Sequence, residues 1–165
     1  MLMVKSIVCI FFLLLNLSGF AQNNENRFDN FYVEGGGAGL VYSLNFERAV
    51  PDSRQAGKIY SAGLTFLPFK GLTADFGLLG SVCGYYNKSP KSQFIYGLGS
   101  TLFFGEEFKV VLNLSLSYKY TFPNNRMYAG ATLYGLCFLP DAEFLPWPGL
   151  RVGYNFNMKC KYCKA

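Results

Sequence analysis

The amino-acid sequence predicts an all-β protein, specifically an eight-stranded antiparallel transmembrane β-barrel with up-and-down meander topology. Three observations lead to this prediction: one long segment with strict two-residue periodicity, an N-terminal export signal, and an unusual composition. Half of the residues are hydrophobic (51%) and only 15% are charged. Ordinary soluble domains carry about 25% charged residues, and a wall that faces lipid accounts for the shortfall.

The clearest strand is the segment 108–121, FKVVLNLSLSYKYT. Every even-numbered side chain is apolar, and among the odd-numbered ones only Val111 is apolar. Successive side chains of a strand leave opposite faces, so this period of two indicates one apolar and one polar face. The segment exceeds the usual length of about 5–6 residues and reaches the roughly 9–11 that a tilted membrane strand needs.

The other strands follow from the same alternation, separated by turn signals such as Pro51–Lys58, Pro68–Gly71 and Asn87–Ser92. Leu139–Pro148 is rich in proline and is predicted to be a loop. The remaining strand cores, in chain order, are residues 40–48, 60–66, 72–78, 94–104, 127–138 and 150–156.

These strands number seven, whereas single-chain bacterial barrels have an even number. One solution is a hairpin at Gly35–Gly39 that splits 31–48 into strands 31–35 and 40–48. The other keeps one long first strand and places a further strand near 139–147. We favour the hairpin, and the glycines then serve a turn, a bulge or close strand packing rather than a phosphate-binding loop, which requires a following helix.

The N-terminus predicts export. A basic start at Met1–Lys5 precedes an apolar core that is too short to span a membrane, and Gly19 and Ala21 provide small residues for cleavage near Ala21. A short membrane anchor is the alternative. The predicted organisation is a signal peptide at 1–21, a flexible leader at 22–30, the barrel at 31–157 and a Cys/Lys-rich tail at 158–165, with the mature protein in the cell outer membrane.

Six charged residues are predicted to face the lumen, and three acids balance three bases: Glu34, Glu47, Asp75, Lys109, Lys119 and Arg151. They could line a polar conduit or small binding cavity, or they could form a packed set of ion pairs. An eight-stranded barrel is only wide enough for side chains to fill it, so we predict a mostly side-chain-filled lumen.

Aromatic residues cluster near strand ends, which is typical of the girdles at membrane interfaces. The predicted girdle comprises Tyr85, Tyr86, Phe94, Phe103, Phe104, Phe108, Tyr118, Tyr120, Phe122, Trp147, Tyr154 and Phe156.

The sequence contains no histidine. Most general-base chemistry near neutral pH and many metal sites depend on imidazole. We therefore predict a non-enzymatic protein with no catalytic residue and no cofactor.

The cysteines provide one weak candidate metal pair, Cys160 and Cys163, which form a C-x-x-C flanked by lysines. A disulfide is the simpler interpretation of this pair. Cys83 and Cys137 fall inside strands, where they can serve as small apolar residues.

The net charge of +5 comes from scattered lysines and arginines rather than a basic stripe, so no nucleic-acid partner is predicted. Outer-membrane lipid and lipopolysaccharide are the expected surroundings. A structural or adhesive role, or membership of a larger membrane complex, is the leading hypothesis. The alternatives are a narrow channel or small-ligand transporter and a secreted soluble β-sandwich that binds a ligand.

Two segments resemble the small outer-membrane β-barrel proteins of Bacteroidota, a family without an assigned activity. Tyr32–Gly37 continuing into Leu40–Arg48 is similar to their opening strands, and Pro146–Phe156 is similar to their closing strand. The resemblance implies the barrel fold and outer-membrane location. The ending Gly153–Phe156 also resembles the aromatic signal that the barrel-assembly machinery recognises, which implies that machinery as a partner during biogenesis.

Overall fold

The computed structural model describes residues 27–66, 74–89, 91–105, 109–123, 126–139 and 142–159, without the side chains of residues 27, 74, 75 and 157–159. It contains eight strands and one short 3₁₀ helix, Gly37–Gly39. The strands are β1 Arg27–Gly36, β2 Tyr42–Pro51, β3 Ala56–Phe66, β4 Ala74–Ser89, β5 Ser92–Gly105, β6 Lys109–Thr121, β7 Met127–Leu139 and β8 Glu143–Lys159.

Each strand pairs antiparallel with the next one in the chain, and β8 pairs with β1 to close the barrel. The predicted fold class is therefore confirmed, and the soluble β-sandwich is wrong. β1 begins at Arg27, within the segment that was predicted to be a flexible leader, and β8 continues to Lys159.

The eighth strand arises at the predicted hairpin after β1. Gly36 and Gly37 adopt φ angles of 74° and 68°, a backbone region that favours glycine. The chain then turns inward, and residues 37–41, which we call the mouth turn, lie in the barrel opening. A Cβ atom on Gly37 would overlap the Glu34 carboxylate, so the glycines here permit close approach of the backbone to the interior.

Residues 143–148 were predicted to be a loop and instead begin β8. They pair only with β7, because the pairing between β8 and β1 starts at Gly149. Proline is tolerated in a strand with one free edge, which explains how Pro146 and Pro148 are accommodated. The competing prediction of a separate strand at 139–147 is wrong.

The alternation in β6 has the orientation that the sequence indicated. Leu114 and Leu116 are 58% and 60% exposed on the outer face, whereas Asn113 and Ser117 are buried inside. We call the end that holds the mouth turn the mouth end, and the opposite end, where β1 begins and β8 finishes, the terminal end. Within the described residues, no helix is long and apolar enough to cross a membrane.

The outer face carries an apolar belt bordered by aromatic rings. At the mouth end the outward aromatic side chains include Phe66, Phe76 and Phe144, and at the terminal end they include Tyr86 and Tyr118. Neighbouring rings touch, as in the stacked pair Phe76–Phe104 with centroids 5.1 Å apart.

Three residues of the predicted girdle instead point inward. Tyr85 and Phe103 are each 2% exposed, and Trp147 is half-buried with its Nε1 donating to the Leu40 carbonyl oxygen at 3.0 Å. Each follows or precedes an outward residue by one position, and the two-residue period places it on the other face. Phe108 lies outside the described residues.

Candidate functional site

The barrel interior collects charged side chains from four strands. Glu34 of β1, Glu47 of β2, Lys119 of β6 and Arg151 of β8 are all buried at inward-facing positions, each with 5% exposure or less. Two acids and two bases therefore share a space from which lipid and bulk water are largely excluded. We call Glu47, Lys119 and Arg151 the charge cluster.

Glu47 is the anion at the centre of the charge cluster. Lys119 Nζ lies 3.4 Å from Glu47 Oε1, and Arg151 Nη1 lies 3.8 Å from Glu47 Oε2. Asn30 Nδ2 also donates to Glu47 Oε1 at 3.1 Å. Buried charges are tolerated only when they are paired and hydrogen-bonded, and Glu47 satisfies both conditions.

Aromatic rings complete the surroundings of the two cations. Lys119 Nζ lies 3.9 Å from the ring centroid of Tyr128, and the Arg151 guanidinium lies 5.5 Å from that of Tyr32. Both distances allow cation–π attraction. The Tyr128 hydroxyl in turn donates to Asn30 Oδ1 at 2.7 Å, so Asn30 links the ring that covers Lys119 to the carboxylate that pairs with it.

Glu34 forms a second anionic centre nearer the mouth end. The Tyr134 hydroxyl lies 3.0 Å and 3.1 Å from the two carboxylate oxygens of Glu34. The Glu34 carboxylate also lies against Gly37 of the mouth turn. The hydrogen bond between Tyr134 and Glu34 joins β7 to β1 past the intervening β8 and holds Glu34 where the turn enters.

Hydroxyl and amide groups fill much of the remaining polar interior. Ser61 and Ser81 are hydrogen-bonded with their oxygens 2.6 Å apart, and Ser117 donates to Thr132 at 2.9 Å. A cavity of about 30 Å³ remains between these groups and the charge cluster, which is space for about two water molecules. Within the described part of the chain, Nε and Nη2 of Arg151 have no hydrogen-bond partner, and Arg151 lines this cavity.

An apolar layer lies on each side of the polar interior. At the mouth end, Ala38 packs with Phe103, Val111, Tyr134 and Leu136, and partly buried Trp147 and Leu40 border them. At the terminal end, Ala49, Ile59, Cys83, Tyr85 and Ile95 pack together with Phe28. The charged groups are therefore enclosed between two hydrophobic layers.

Side-chain hydrogen bonds hold the mouth turn in place. Thr101 donates to the Ala38 carbonyl oxygen at 2.9 Å, and Thr65 donates to the Gly39 carbonyl oxygen at 2.8 Å. These contacts come from β5 and β3, on other sides of the opening. The turn thus spans the mouth instead of projecting away from it.

Two of the six residues predicted to face the lumen differ from the other four. Lys109 has the inward register, since it pairs with buried Phe103, but it is the first residue of β6 and is exposed at the mouth end, outside the enclosed interior. The side chain of Asp75 lies outside the described residues, as do Cys160 and Cys163. Among the described residues, no group of three or more His, Cys, Asp or Glu could hold a metal ion.

The interior roles of Asn30, Tyr32, Tyr128 and Tyr134 are not among the predictions from the sequence. For the two β7 tyrosines a signal existed, because Tyr128, Thr132 and Tyr134 occupy even positions while Met127 and Leu133 occupy odd, outward positions. Their partners could not be found in this way, since Tyr128 and Tyr134 contact residues 98 and 100 positions away.

The fold and its interior define an eight-stranded meander barrel with an apolar outer belt and a charged, side-chain-filled core. A solved structure of this class is similar to it: the N-terminal β-barrel domain of Pseudomonas aeruginosa OprF, with a TM-score of 0.54 and 18% sequence identity. The match covers 82% of this chain and 100% of the OprF domain. No protein-family model and no curated protein matches the chain.

Proposed function

We propose that this protein is a non-enzymatic, integral outer-membrane barrel with a closed lumen, which acts through its surfaces rather than through a pore. Such a protein would contribute to envelope structure or adhesion, or would belong to a larger membrane complex. Lipopolysaccharide and phospholipid would surround it, and the barrel-assembly machinery would insert it. The likeness to the OprF barrel domain supports the fold on which this proposal rests.

The observation that carries the closed-lumen proposal is the arrangement of the interior. Glu47 pairs with both buried cations of the charge cluster, and an apolar layer lies on each side. An ion that crossed the barrel would have to separate these pairs and pass both apolar layers. A buried charge left without its partner costs about 3–5 kcal/mol, and a penalty of this kind opposes steady conduction.

The absence of histidine from the sequence supports a non-enzymatic role. The two buried glutamates of the interior are engaged by other side chains, Glu47 by Lys119 and Glu34 by Tyr134. A general base must be within reach of its substrate, and both carboxylates lie below the mouth turn or between the apolar layers.

Membrane location is tested by fractionation of cells that produce the full chain. We expect the protein to sediment with outer membranes, to require detergent for extraction, and to migrate differently on gels before and after heating. Recovery in the soluble fraction without detergent would overturn the proposal.

The closed lumen is tested by reconstitution into planar bilayers. We expect no steady current, whereas a 16–18-stranded porin, which has an aqueous channel, serves as the positive control in the same bilayers. A reproducible steady conductance would instead favour the alternative hypothesis of a narrow channel or small-ligand transporter.

A further inference from the structure

The two ends of the barrel differ in exposed charge. Among the described side chains, the terminal end has five exposed cations and one exposed acid, Asp52, whereas the mouth end has one exposed cation, Lys109, and one exposed acid, Glu143. We call the five cations the basic rim. They are Arg54, Lys58, Lys88, Lys91 and Arg126.

The outward tyrosines have the same asymmetry. Among the described residues, Tyr42 is the one outward tyrosine near the mouth end, where phenylalanines form the rest of the girdle. The halves of the strands nearer the terminal end carry six, namely Tyr60, Tyr86, Tyr96, Tyr118, Tyr120 and Tyr154. Tyrosine combines an apolar ring with a polar hydroxyl and suits the boundary between hydrocarbon and headgroups.

The basic rim lies just beyond these tyrosines, as the strand geometry shows. Lys58 lies two positions before Tyr60, toward the start of β3 at the terminal end, and Lys88 lies two positions after Tyr86, toward the end of β4 at the same end of the barrel. Two residues of a strand span about 6–7 Å. Both lysines therefore share the outward face of the tyrosines, one step farther from the middle of the apolar belt.

From this arrangement we infer that the basic rim binds the anionic headgroups of phospholipids in the leaflet that meets the terminal end. A lysine at this level keeps its stem along the apolar wall and its ammonium among the phosphates. Arg126 approaches the hydroxyl of Tyr154 at 3.5 Å, which places another cation at the same boundary. This inference rests on the proposed membrane location. It adds which end of the barrel binds lipid headgroups and that these headgroups are anionic.

Phospholipid, rather than lipopolysaccharide, fits the end at which the rim lies. β1 begins and β8 ends there, and the three connections at this end, residues 52–55, 90–91 and 122–126, are at most five residues long, whereas β3 and β4, which join at the mouth end, are separated by seven residues, the longest separation between consecutive strands. Short turns of outer-membrane barrels face the periplasm, and the leaflet on that side is the phospholipid leaflet.

The test uses the full mature chain in phosphatidylcholine vesicles with a small amount of spin-labelled lipid. The spectrum of the label separates lipid held at the protein surface from lipid in the bulk. We expect labelled phosphatidylglycerol to associate about two- to fivefold more strongly than labelled phosphatidylcholine at low salt, because each basic residue near the surface attracts anionic lipid. High salt should reduce the preference through screening.

Two variants make the test specific. Replacement of all five rim residues by glutamine should bring the ratio of the two association constants to about one. Lys109→Gln, which removes an exposed lysine from the mouth end, should leave the ratio of the native protein unchanged.

The outcomes separate the rim from the membrane proposal. Surface-held lipid with equal association of the two headgroups would overturn the rim inference alone, whereas the absence of any surface-held lipid would overturn the membrane location. The two headgroups could associate equally while the native protein, but not the five-glutamine variant, sediments with isolated peptidoglycan. That result would assign the rim to the cell-wall polymer and would also overturn the lipid inference.

Discussion

The two faces of the barrel wall are built from the same strands but are stabilised in different ways. On the outer face of β6, Leu114 and its even-numbered neighbours are exposed and apolar. In the proposed membrane these side chains need only be apolar, because lipid adapts to their shape. On the inner face, Lys119 needs a particular acid, Glu47, at 3.4 Å and a particular ring, Tyr128, at 3.9 Å. The stability of the outer face therefore depends only on its side chains being apolar. The stability of the inner face depends on which residue occupies each position. Four pairs of variants test this difference.

The largest effect is expected from Glu47→Gln on the inner face. The substitution keeps the shape of the side chain but leaves Lys119 and Arg151 without their shared anion. Breaking a buried pair in this way costs about 3–5 kcal/mol. The loss of stability is measured as the change in the free energy of unfolding by urea in phospholipid vesicles. Glu143→Gln, at the exposed mouth end, is the control and should change it by no more than about 0.5 kcal/mol; equal losses would remove the special role of the interior.

The second effect concerns the outer face. Leu114→Arg places a charge near the middle of the apolar belt and should cost about 2–4 kcal/mol. Tyr120→Arg, near the end of the same strand, should cost about 0–1 kcal/mol because the cost falls toward the interface. The same unfolding experiment compares them. If position along β6 made no difference, the outer face would not be in contact with hydrocarbon.

A smaller effect is expected when a single interior hydroxyl is removed. Tyr134→Phe deletes the hydrogen bond to the Glu34 carboxylate and should cost about 1.5–3 kcal/mol, the range for hydrogen bonds to charged groups. Tyr118→Phe removes an outward hydroxyl that donates to Ser92 at 3.0 Å and should change stability by about 0.5 kcal/mol or less. A larger loss from Tyr118→Phe would reverse the ranking of the two faces.

The smallest effect is expected at the mouth turn. Gly37→Ala puts a side chain on a residue with φ of 68° and should cost about 1–2 kcal/mol from backbone conformation. The Glu34 carboxylate, which ends a flexible side chain, must also shift to admit the added Cβ. Gly35→Ala is the matched control, because no atom lies within 4 Å of the added Cβ, and a change within about 0.5 kcal/mol is expected. The free energies of unfolding of the two variants are compared. Equal values would mean that the mouth turn accommodates a side chain at residue 37 without strain.

The same contrast explains how much the sequence could predict. Alternation assigns each side chain of β6 to a face, because that assignment depends on local geometry alone. It also supports eight strands once the glycine run is interpreted as a hairpin. The partner of Glu34 is Tyr134, 100 positions away, and it depends on how far each strand is shifted against its neighbour around the closed barrel.

Three further residues lie in places that a single sequence criterion does not predict. Tyr85 and Phe103 were assigned to the girdle from their location near strand ends, although their parity places them inside. Lys109 has the correct parity for the lumen but lies where the strand begins, beyond the enclosed part. Position along the barrel axis and parity are both required to place a side chain inside or outside the barrel.

The mouth turn has a consequence for the order of assembly. It is contributed by the first hairpin of the chain, yet it is held by Thr65, Thr101 and finally Trp147 of the last strand. The full set of contacts that hold this turn therefore exists only when β8 has closed the barrel against β1, so the first hairpin is completed by the last strand.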